Sequence, residues 1–202
     1  MEWYQQTTPY TTAVCSLMMA LNHFNPSFPL DEETELNIWQ QTVVTPTKSA
    51  SIYALGLYVV EQHVPVKIIV GTHEYKFPRY RFQGYKLKEV ETASKVSELI
   101  YKKAKHAGIA IEEREFDFDE PLTLLTEGKV LLLRLNTGLL HDFGDKLASH
   151  YFALFADVKN DKIITVADPL LGIRPIDVDI LRQSFLAVKE KSKRDPRMLV
   201  MG

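Results

Sequence analysis

The stretch His150-Tyr-Phe-Ala-Leu-Phe-Ala-Asp-Val-Lys-Asn-Asp-Lys-Ile-Ile-Thr-Val-Ala-Asp-Pro169 decides how the second half of the chain is read. Two runs rich in β-branched and aromatic residues flank Lys159-Asn160-Asp161, whose composition suits a turn, so the spacing predicts a β-hairpin. His150 opens it and Asp168 stands near its end. Whether the two share a face is a matter of parity. A two-residue loop sets Asp168 opposite Ala153, away from His150, whereas a loop over 159–161 sets it opposite Phe152. The longer loop, or a bulge of equal effect, is the expectation. It makes His150 and Asp168 diagonal neighbours roughly 7 Å apart at the backbone.

Working outward, "IAIEEREF" (109–116) and "KVLLLRL" (129–135) also read as strands, with a short helix in "EPLTLLTEG" (120–128) between them. Residues upstream of 109 read mostly as helix. Thr11 or Thr12 is placed to cap a helix running to about Phe24, with Asn25-Pro26 as its stop. Asp31 is placed to cap the next, over "LDEETELNIWQQTV" (30–43), whose first-turn acids suit the helix dipole and whose Leu36 and Trp39 give apolar spacing. "SASIYALGLYVVEQH" (49–63) reads as a third, mostly buried helix, and "VPVKIIV" (64–70) as a strand. The aromatic and basic segment "GTHEYKFPRYRFQGYK" (71–86) lacks periodicity and reads as a long loop beside the cleft. "LKEVETASKVSELIYKKAKHAG" (87–108) is an amphipathic helix, with Val90, Ala93, Val96, Leu99 and Ile100 on one stripe and Gly108 after its end. Helices first and a mostly antiparallel sheet after predict an α+β fold, and 202 residues without linker or repeat fit one domain over 1–202.

Composition narrows the function. Net charge is −2, from 24 basic and 26 acidic residues, which gives no field for nucleic acid. Aromatics interleaved with Lys and Arg in 71–86 suit base stacking, but a solvated loop is the plainer reading. A single cysteine, Cys15, forms no internal disulfide and fits a reducing compartment. The start "MEWYQQTTPY" has neither basic nor apolar signal regions, and no apolar run is long enough for a bilayer. The expectation is a cytoplasmic protein without membrane contact. His23, His63, His73, His106 and His141 have no metal-ligand spacing, so neither metal nor cofactor is expected.

The opening "QQTTPYTTAVCSLMMALNHF" (5–24) supplies the candidate chemistry. A thiol or hydroxyl nucleophile needs a base in contact, a third group to orient that base, and donors for the oxyanion. Gln6 stands six residues before Thr12 at the expected helix start, and His150 and Asp168 follow far along the chain. In this order the chain resembles the papain-like cysteine peptidases of the bacteriocin-processing (double-glycine) type, whose wider group opens roughly Q-T-T-x-[FY]-T-C-G-P-A-x-L-M-M-A. It shares Gln6, Thr7, Thr8, Tyr10, Thr11, Leu17, Met18, Met19 and Ala20, and the likeness extends through "ELNIWQQT" and "YALGLYVVEQHVPVKIIV". The resemblance implies a papain-like fold, a helical lobe packed on the sheet with a cleft between. It implies Gln6 as oxyanion donor, His150 as base and Asp168 as its orienter.

At the nucleophile position, where the family has Cys-Gly-Pro, this chain has Thr12-Ala13-Val14. An internal threonine is a poor replacement, because its hydroxyl ionises far above a thiol and its β-branch restricts χ1. Cys15 lies one turn on, roughly 4.5 Å along a helix axis. One reading is an impaired peptidase homologue that keeps a cleft for a peptide or acyl-bearing partner. The rival is an active peptidase, amidase or acyltransferase in which Cys15 reaches His150. A third, a structural or regulatory subunit, stays open, as does the oligomeric state.

Overall fold

The computed structural model describes residues 2–75, 77, 82–141, 148–156 and 162–202. Three helices come first: α1 (Thr12–Phe24), α2 (Glu32–Thr42) and α3 (Ile52–Glu61). Strand β1 (Val66–Val70), helix α4 (Leu87–His106) and strand β2 (Ala110–Glu113) follow. The rest comprises α5 (Asp119–Thr126), β3 (Val130–Asn136), α6 (Thr137–Leu140), β4 (Ser149–Ala156), β5 (Ile163–Asp168), β6 (Gly172–Asp177), α7 (Val178–Glu190) and β7 (Arg197–Met201).

Local chemistry accounts for most boundaries. The Asp31 carboxylate accepts from Thr34 N at 2.8 Å, the cap expected of it. Ser51 caps α3 by accepting from Tyr53 N at 3.2 Å. Beyond α4, Gly108 takes φ +78°, a conformation in which a side chain would be strained. Helix α1 departs from expectation: Thr11 holds the N-cap position but makes no side-chain cap bond. Its hydroxyl is drawn instead to the carboxylate of Glu35.

The strands form one sheet in the order β2-β1-β7-β3-β4-β5-β6. Only β1 and β2 pair in parallel, joined across α4, and the other pairs are antiparallel. The fold is α+β and papain-like in arrangement, as expected. Residues after Pro169, which the sequence left undivided, supply β6, α7 and β7.

The middle of the sheet is buried on both faces. Val130 and Leu132 of β3, with Tyr151, Ala153 and Phe155 of β4, pack under α1 and α3. Leu131, Leu133, Leu135, Phe152 and Leu154 point the other way, against Leu181 and Phe185 of α7 and Leu125 of α5. A strand covered on both sides needs apolar residues at successive positions, which explains the unbroken run "VLLL" (130–133). The expected hairpin register is observed: Ala153 pairs with Ala167 and Leu154 with Val166, which continues to Asp168 opposite Phe152. His150 and Asp168 therefore belong to the same face. The turn itself falls at 157–161, outside the described residues, as do 76 and 78–81 of the expected loop. No helix among the described residues is long and apolar enough to cross a membrane.

Phe152 is fully buried on the central strand β4. Phe152→Ala is expected to lower the unfolding free energy by about 3–5 kcal/mol, read from a urea denaturation midpoint at unchanged slope.

Candidate functional site

The N-terminal segment runs along α1, with Glu2 N donating to Asn22 Oδ1 at 3.1 Å near the helix end and Gln6 at its tip, and it reaches the turn after β5. Gln6 N donates to Pro169 O at 3.0 Å, and the Trp3 indole donates to Asp168 O at 2.9 Å. These bonds bring Gln6 beside the Asp168-Pro169 turn despite their separation in sequence. The Gln6 side chain also meets the helix tip, because its Oε1 accepts from the Thr12 hydroxyl at 2.9 Å. Its Nε2 donates to Thr8 O at 2.8 Å.

The first turn of α1 is tied to β4 through Ser16, whose hydroxyl donates to Tyr151 O at 3.1 Å. Between them lies a cavity of about 30 Å³, bordered by Tyr10 and Ala13 on the helix side and Arg134, Ser149, His150 and Tyr151 on the sheet side. That volume suits one water or one carbonyl oxygen. Arg134, on the α1 face of β3, is held by Asp195 at 3.3 Å and donates to the Tyr151 hydroxyl at 2.8 Å. His150 thus borders this small cavity, while Gln6 and Thr12 meet each other at the tip of α1.

The carboxylate of Asp168 is engaged on the α7 face of the sheet, the face to which His150 belongs by register, and its imidazole partner there is His141 rather than the expected His150. His141 Nε2 lies 2.6 Å from Asp168 Oδ2, and Arg174 lies 3.2 Å from the same oxygen. Asp168 Oδ1 accepts from Leu170 N at 2.8 Å and Leu171 N at 3.2 Å. Burial alone would raise the Asp168 carboxyl, but the His141 contact and the two N–H donors outweigh it and hold the group below its ordinary range. His141 comes directly after α6, which follows β3, and no local pattern announces that tertiary contact. Parity did announce the face of Asp168.

Cys15 is 0% exposed, within the buried stretch of α1. Burial pushes its thiol well up, and the Glu35 carboxylate nearby adds to the effect. The thiol therefore stays protonated in neutral water. Glu35 is a residue the sequence reading missed, treated as one of several first-turn acids. The buried positions of α2 are Glu35, Ile38 and Thr42, not the stripe of Leu36 and Trp39. Glu35 sits three before Ile38 and seven before Thr42, a helical-face spacing that was legible. No group of three or more His, Cys, Asp or Glu among the described residues could hold a metal ion.

The depressed Asp168 carboxyl sets an acid limb for stability. The native carboxyl protonates at lower pH than the unfolded one, about 3.9, so its contribution is present above that value and is lost as pH falls through the native value. Asp168→Asn is expected to cost about 2 kcal/mol at pH 7, and the gap from the unsubstituted protein should close on acidification below about pH 4. Denaturation curves at several pH values check both.

No curated protein matches the chain. A family model described as Peptidase_C39-like, DUF3335, matches residues 1–193. With nearly the whole sequence covered, the chain belongs to this Peptidase_C39-like family.

Proposed function

We propose that this protein is a binding member of its peptidase-like family, which receives a peptide or acyl-bearing segment at the corner of Gln6, Thr12, His150 and Asp168 without hydrolysing it. The observation that carries the reading is the state of the two candidate nucleophiles. Thr12 occupies the helix tip with its hydroxyl committed to Gln6 Oε1. Cys15 is sealed within the helix packing and holds its proton. A hydroxyl without a thiolate's nucleophilicity, and a thiol without access, leave the corner no group to attack an amide.

Binding is supported by what surrounds the corner. The cavity beside His150 has room for a single carbonyl oxygen, so most of a ligand would lie on the surface. Trp3, Leu170 and Leu171 are 45%, 44% and 43% exposed, and the Trp3 and Gln6 bonds to the Asp168-Pro169 turn gather them beside the corner. Asp168 holds the N–H groups of both leucines, so these apolar side chains are displayed on a fixed turn. Such a patch favours an extended segment with apolar side chains. The rival enzyme reading requires Cys15 to leave its packing, and its full burial weighs against that.

Iodoacetamide labelling followed by mass spectrometry tests the proposal. Cys15 in the folded protein should remain unlabelled at pH 7 and react only with denaturant. Thr12→Cys should introduce a thiol that reacts on the order of tenfold faster than free cysteine, with the gain removed by adding His150→Ala. Rapid labelling of Cys15 in the folded, unsubstituted protein would overturn the reading.

A further inference from the structure

Glu35 is fully buried, yet its carboxylate is among the most heavily used groups in the helical part of the chain. It accepts from Thr7 N through both oxygens at 3.1 Å, from the Tyr4 hydroxyl at 2.8 Å, and from the Thr11 hydroxyl. Its donors thus come from positions 4, 7 and 11, so one carboxylate on α2 draws the intervening chain into a closed loop. Thr8 reinforces the closure: its hydroxyl lies 2.9 Å from the Thr11 hydroxyl, which can accept from it while donating to Glu35.

The two gripped residues that matter most are neighbours of the site. Thr7 follows Gln6, and Thr11 precedes Thr12. Fixing the backbone at 7 and the helix start at 11 sets how far the Gln6 amide stands from the tip of α1. The geometry points to Glu35 as the positioning residue of the site: its buried carboxylate sets the Gln6 side chain against Thr12. The functional part of this inference rests on the proposed role of that corner, whereas the placement of Gln6 does not. A carboxylate is suited to the task because it offers only acceptors to donors arriving from several directions. A neutral amide in its place has one acceptor oxygen and turns an NH2 group toward some of the same donors.

The test uses Glu35→Gln in the full chain and reads the Gln6 side-chain amide by proton–nitrogen NMR. In the unsubstituted protein, the Gln6 NH2 pair donates to Thr8 O and should be dispersed and slow to exchange. In Glu35→Gln it should move to the position of free glutamine, while backbone signals of β3 and β4 stay in place. An unmoved Gln6 pair in the folded variant overturns the inference. Should Glu35→Gln fail to fold, Tyr4→Phe removes one donor without stranding a charge and should displace the Gln6 pair by a smaller amount, with no displacement again overturning the inference. A second arm adds Glu35→Gln to Thr12→Cys, where the introduced thiol should react about tenfold more slowly with its pH midpoint moved upward. If that thiol is reactive and Glu35→Gln leaves its rate and pH profile unchanged, Glu35 does not govern the site. If Thr12→Cys alone yields no reactive thiol, the binding proposal fails, and the amide signal still decides the role of Glu35.

Discussion

Helix α1 is buried at every position from Thr12 to Asn22, and that burial fixes which residue stands at the helix tip. A helix covered on all sides has no solvent face to trade, so it cannot turn or slide to present another residue. Bringing Cys15 to the place of Thr12 needs a shift of roughly 4.5 Å along the axis. Such a shift would unseat Leu17, Met18, Met19 and Leu21, each fully or almost fully buried. Every one of those side chains is worth about 1.5–3 kcal/mol of burial, so the displacement costs more than a contact at the tip could return. The residue at the tip is set by packing, and it is a threonine.

Around that fixed helix, the site is assembled by polar bonds at its margins. Backbone and indole donors from the N-terminal segment reach the Asp168-Pro169 turn. The same aspartate, on the far face of the sheet, joins His141, Arg174 and the amides of Leu170 and Leu171. One residue therefore links the N-terminal segment, the β5–β6 turn and the segment after α6. Its carboxylate is buried but amply donated to, which is how a charge is tolerated there. Glu35 follows the same logic within the helices. Arg134 and Arg197 follow it at the sheet, where both contact Asp195.

The parts of this arrangement that were legible in the sequence came from local periodicity, from residue type or from the resemblance of the opening motif. The register of the hairpin came from counting residues across a turn, and it put Asp168 on its proper face. The cap at Asp31 and the turn at Gly108 came from residue type. Gln6 meeting Thr12 followed from the resemblance of the opening motif. What escaped was set by distant partners. His141 carries no neighbouring signal of its contact with Asp168, and Thr11 looked like an ordinary cap because its hydroxyl's better partner lies on another helix. Strands β6 and β7 are short, and their pairing depends on strands already in place.

The most direct measurement of the central claim is the carbon-13 shift of the Cys15 β-carbon, followed in selectively labelled protein from pH 6 to pH 10. A thiol buried beside Glu35 holds its protonated shift across that range, and the account predicts a flat line. A transition to the thiolate shift below about pH 8.5, the ordinary cysteine value, with the fold intact would contradict it.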